Sequence, residues 1–119
     1  MFTGRLSPVS NRQTWIEQIS IVDDETGVGI DLTGHSLTVE VRLPGTKTAL
    51  LLATTANGLV TLIEDESEIN SIFQFAFTDE QMDDLCAGTY EVGITDEAAT
   101  GEVTQLMIAT VQVLDGIVA

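Results

Sequence analysis

The feature that most restricts this chain is a two-residue alternation of apolar and polar side chains. Leu37, Val39, Val41 and Leu43 alternate with Thr38, Glu40 and Arg42. A period of two places every second side chain on one face of an extended strand; a helix would scatter the same residues around its axis. The pattern recurs along the chain. Phe73, Phe75 and Phe77 form one such row, and Tyr90, Val92 and Ile94 another. In the long last run, Val103, Met107, Ala109, Val111 and Val113 read as one face, with Leu106, Ile108 and Leu114 on the other. Near the start, Trp15, Ile19 and Ile21 share a face with Glu17, and a bulge near Glu17 is expected to repair the imperfect pattern there. "TALLLATT" and "LVTLIE" read as further strands, and "VGIDL" as a short one. Between these runs lie turn sequences, "DDETG", "TG" at 33–34, "PG" at 44–45, "ANG" at 56–58 and "DEAATG".

One segment breaks the β pattern. In "TDEQMDDLCAG", Thr78 can cap a helix with Gln81 at the reciprocal capping position, and Met82, Leu85 and Cys86 fall on one helical face. The spacing predicts a helical turn near 79–86. About seven to eight short strands with a single helical turn predict an all-β protein, an antiparallel Ig-like β-sandwich. A small barrel is the alternative. Residues 1–11, with Gly4, Ser7, Pro8, Ser10 and Asn11 and no period, read as an extended N-terminal arm, either disordered or ordered only against a neighbouring subunit; residues 12–119 read as one sandwich domain.

The 119 residues carry four basic and nineteen acidic side chains, a formal charge of −15. Such a field repels phosphate, which argues against nucleic acid and anionic membranes as partners. Thirteen of the nineteen acids lie at Asp23-Asp24-Glu25, Glu64-Asp65-Glu66 with Glu68, Asp79-Glu80 with Asp83-Asp84, and Asp96-Glu97. All four groups fall at expected turns and read as solvated loops; a calcium site is the sharper alternative, but the spacing of an EF-hand is missing. No apolar run approaches the ~20 residues of a membrane helix, and "MFTGRLSPVSN" shows no signal-peptide core. The single cysteine, Cys86, reads as a small buried residue, in keeping with a reducing cytosol.

Candidates for chemistry are few. His35 is the only histidine and, with one cysteine, cannot supply a zinc set. Asp23 and Asp31 are the nearest thing to an acid–base pair, a weak signal in turns. The sequence therefore predicts no enzyme, no catalytic residue, no metal and no cofactor. In "CAGTYEV", Gly88 and Tyr90 match the spacing of a tyrosine corner, in which the phenol bonds back to the main chain where strands change sheet; Val92 stands where an antibody domain has its cysteine. Leu106 and Ile108 break the expected polar outer face of the last strand, so either another element of the same chain covers them or another subunit does. Together with Phe2, Leu6, Pro8 and Val9 of the arm they read as an interface.

The succession of "RQTW", "TGVGIDLTG", "VEVR", an acidic helical turn, "CAGTYEVGI" and a long final strand resembles small virion domains of tailed bacteriophages, nearest to the Ig-like N-terminal domain of baseplate and receptor-binding proteins. The resemblance spans residues 12–114. It implies a non-enzymatic structural module, an adaptor, collar, baseplate or decoration component. Such a module would be made in the host cytoplasm, docked on other virion proteins, and would form a homo-oligomer, often a trimer. The alternative is a carbohydrate-type ligand-binding module, which would need Trp15 or Tyr90 exposed in a groove.

Overall fold

The computed structural model describes residues 2–23 and 25–116, the side chain of Phe2 excepted. Its elements follow in the order β1 (Phe2–Arg5), β2 (Val9–Ser10), β3 (Trp15–Ser20), β4 (Ser36–Arg42), β5 (Leu51–Thr54), β6 (Val60–Ile63), β7 (Ile72–Phe77), α1 (Asp79–Asp83), β8 (Gly88–Glu97) and β9 (Val103–Leu114). They form an all-β sandwich of two sheets. The larger has the order β1-β9-β8-β4-β5, with β2 also on β9; the smaller has the order β3-β7-β6. Pairing is antiparallel throughout except for β1 and β2, which run parallel to β9.

The inner faces are the rows the alternation predicts. Leu37, Val39 and Val41 of β4, Val92 and Ile94 of β8, and Val111 of β9 are fully buried against Phe73, Phe75 and Phe77 of β7. Trp15 stands edge-on to Phe75 with ring centroids 5.3 Å apart, and Phe77 lies 5.8 Å from Trp15, so three aromatic rings cluster on the smaller sheet's inner face at the Trp15–Phe77 end of the β3–β7 ladder. The "ANG" turn carries the chain from β5 in the larger sheet to β6 in the smaller, with Gly58 at φ +81°, a backbone angle that glycine adopts without strain. Gly29 is required for a different reason: a Cβ there would stand 2.4 Å from an Asp65 carboxylate oxygen and 2.6 Å from Ser71.

Several expectations are corrected. The helix is Asp79–Asp83, with both halves of the Thr78–Gln81 capping box formed; the chain then turns, leaving Met82 and Leu85 buried and Cys86 exposed, not buried. "VGIDL" is not a strand but a single bridge between Val22 and Gly29, with Leu32 buried beyond it. No bulge occurs near Glu17: β3 pairs with β7 residue for residue from Trp15–Phe77 to Ser20–Ile72. The irregularity lies on β9, where Ile94 pairs with Met107 but Thr95 pairs with Gln105, so Leu106 is an extra residue without a partner on β8. The segment read as an arm runs along β9 of its own chain, with Phe2 opposite Met107 and Val9 opposite Val113. Residue 11 marks no break, because Val9 and Asn11 are both buried.

Candidate docking site

The bulge decides which residues face outward at the end of β9. An extra residue shifts the alternation by one, so Leu106 and Met107 both turn toward the sandwich interior. Leu106 is half-buried against the core and Val103, expected inside, is 62% exposed. The Gln105 side chain holds the irregularity, its Nε2 donating to the carbonyls of Met107 (2.7 Å) and Ile94 (3.1 Å). The two residues read as one outer patch are thus separated by a sheet. Leu106 faces in, and Ile108 faces out beside Gly93, where it borders a shallow depression of about 160 Å³ with Glu40 and Arg42. Of the other expected interface residues, Leu6 is half-buried on the core, Pro8 is exposed, and Val9 is buried; the side chain of Phe2 lies outside the described residues.

Where Leu106 turns in, the two sheets stand apart. A groove of about 600 Å³ opens between the end of β3 and the bulged part of β9, lined by Leu6, Ile19, Ile21, Phe73, Leu106 and Met107. It runs beside the β3 edge of the smaller sheet. Among the described residues, β3 pairs with β7 on one side and with no strand on the other. Ile21 donates its N–H to Ser71 at 2.9 Å, on the β7 side. By the alternation of an antiparallel ladder, Ile19, Glu17 and Trp15 also turn their main-chain groups to β7, and Ile16, Gln18 and Ser20 turn theirs to the open edge. Glu17 lies on the inner side of this edge strand, half-buried, and accepts a hydrogen bond from Trp15 Nε1 at 3.2 Å.

The titratable groups that sequence singled out are spent on local structure. Asp23 accepts the N–H groups of Glu25 and Thr26, closing its own turn. Asp31 accepts the hydroxyl of Thr33 at 2.7 Å and its N–H at 3.0 Å, and these bonds hold its carboxyl below the usual range. His35 Nδ1 lies 2.8 Å from Asp96 Oδ1, at the far end of β8 from Cys86; a ten-residue strand separates them, roughly 30 Å, so no Cys–His pair forms. Asp65 accepts the Ser71 hydroxyl and the N–H groups of Ser67 and Ile69, and the Ser71 bond is the main cause of its lowered pKa. Among the described residues no three acids, histidines or cysteines gather as a metal site; Asp24 lies outside them. Trp15 and Tyr90 are 2% and 4% exposed, so neither offers a sugar a stacking face. The Tyr90 hydroxyl donates to the carbonyl of Cys86 at 2.6 Å, the bond of a tyrosine corner, and burial is the first cause of its raised pKa.

Sequence reasoning missed two features. Asn11 is buried and ties three distant segments: its Nδ2 donates to the Leu85 carbonyl at 2.9 Å and to Asp115 at 3.2 Å, and its Oδ1 accepts the Gly116 N–H at 2.9 Å. The open edge of β3 was the other. Its signal was present as Glu17, a charge on an apolar face.

No family model matches the chain, and no curated protein matches it. Among solved structures, the crystal structure of CopC from Methylosinus trichosporium OB3b matches 94% of this chain and 88% of its own, with 10% identity and a TM-score of 0.46. A likeness at that level carries no function across.

Proposed function

We propose that this chain is a non-enzymatic structural module of a tailed-bacteriophage particle, an adaptor, collar, baseplate or decoration component that works by docking on other virion proteins. The observation that carries the docking role is the open side of the sandwich, where a strand edge left unpaired among the described residues lies along an apolar groove of about 600 Å³. An edge of this kind offers main-chain donors and acceptors together with a place for side chains, the two things a protein partner needs. The phage assignment rests on the resemblance of the succession "RQTW", "TGVGIDLTG", "VEVR", an acidic helical turn, "CAGTYEVGI" and a long final strand to virion domains. The acidic surface suits a partner that is a protein rather than a nucleic acid. The test is to purify particles and measure the chain's copy number by quantitative mass spectrometry, then its symmetry by electron microscopy. A fixed copy number at a defined position is expected. Exclusion from particles, with a lone monomer in solution, would overturn the reading.

A further inference from the structure

We propose that the free edge of β3 is a strand-addition site for an extended segment of another protein that carries a lysine or arginine opposite Glu17. This rests on the docking role above and names the partner's chemistry. Three observations converge. Ile16, Gln18 and Ser20 turn their N–H and C=O groups to a side that no described strand occupies. The groove lined by Leu6, Ile19, Ile21, Leu106 and Met107 lies next to that edge, where alternate side chains of an added strand would point. Glu17 projects from the same edge on the inner side, and among the described residues no cation pairs with it; the ion pairs there are Arg12–Asp83 and His35–Asp96.

Glu17 is what selects the occupant. A charge on the inward side of an edge strand deters an apolar strand, because adding one would bury the carboxylate with only the Trp15 indole N–H beside it and no counter-charge. A strand that brings a cation to that position replaces the penalty with a charge-assisted hydrogen bond. The remaining field acts the same way: a formal charge of −15 attracts a basic segment and repels a second copy of this chain. An incoming strand antiparallel to β3 would therefore present, in order, apolar groups opposite Ile21 and Ile19 and then its cation opposite Glu17.

The experiment uses the full chain, isotopically labelled, and a capped synthetic peptide of sequence Thr-Val-Thr-Leu-Thr-Lys-Thr. A second peptide has glutamate in place of the lysine. Amide chemical shifts and hydrogen exchange are followed through a titration. The lysine peptide should shift the amides of Ile16, Gln18 and Ser20 and slow their exchange, while the glutamate peptide binds more weakly. Glu17→Gln should weaken the lysine peptide roughly fivefold and erase the preference between the two. Equal binding of both peptides to the unaltered chain, no change at the three edge amides, or shifts confined to another face would overturn the proposal. Concentration-dependent protection of those amides without peptide would also overturn it, in favour of a second copy. The two readings fail separately. Peptide binding by a chain excluded from particles would sink the virion role alone. A chain built into particles whose edge amides exchange as fast there as when free would sink the strand-addition site alone.

Discussion

At the scale of single residues, the informative ones are buried side chains whose polar atoms are satisfied by main-chain groups elsewhere in the fold. Tyr90 is the simple case. Its ring is buried and its hydroxyl reaches back four residues to the Cys86 carbonyl. Tyr90→Phe keeps the ring and removes that bond, and should lower stability by about 1 kcal/mol, read as a shift of the denaturant midpoint with an unchanged slope. Asn11 is the costlier case. Asn11→Ala strands the buried Leu85 carbonyl and frees Gly116, at about 2 kcal/mol, and amide exchange should quicken at Asn11 and Gly116 before it does in the core. The contrast explains what was legible. Gly88 and Tyr90 lie within one local motif, so their spacing alone points to the corner. Asn11 bonds to partners 74 to 105 positions away, and nothing near it in sequence marks a buried amide among loop residues.

At the scale of elements, alternation reveals which residues share a face but not where one inserted residue moves them. The inner rows of β4, β7 and β8 were readable because each is regular from end to end. The start of β9 was not, because Leu106 stands between two regular stretches and reverses the faces on its far side. Periodicity treats a charge on an apolar face as a fault in register, and so Glu17 suggested a bulge. The unbroken pairing of β3 with β7 gives it another meaning, a guard on an open edge. Glu17→Gln should test this. Glutamine keeps an acceptor for the buried Trp15 indole N–H, so the thermal midpoint should hold, while the lag before aggregation on heating should shorten because the edge has lost its charge. A lag equal to that of the unaltered chain would show that Glu17 does not protect the edge.

At the scale of the whole molecule the net charge governs how conditions act on stability. Nineteen acids against four bases repel one another over the surface, and the repulsion is relieved on unfolding. Salt screens it, with a Debye length of about 10 Å at 0.1 M and about 3 Å at 1 M. At neutral pH the thermal midpoint should therefore rise with sodium chloride, by roughly 5 °C between 10 mM and 0.5 M. Acid acts through particular groups. Asp31 and Asp65 both have folded pKa values below the ordinary 3.8, because Thr33 in one case and Ser71 in the other donate to the charged form. A depressed carboxyl pKa means that the unfolded chain binds the proton first as pH falls. The stability these groups contribute is complete above about pH 5 and declines through the ordinary carboxylate value to the lower folded one. Asp65→Asn should remove its share of that decline, so the ratio of variant to unaltered stability should grow as pH drops from 5 to 2, measured by denaturant unfolding at fixed ionic strength. Asp65 spans the 64–68 loop and the Ser71 end of β7, against which Gly29 packs without room for a Cβ. Its protonation should therefore loosen that end of the sandwich first, and exchange at Ile69 and Ser71 should accelerate at a higher pH than exchange at Phe75. If both regions respond together, the acid transition is a property of the whole charge field and not of this carboxylate.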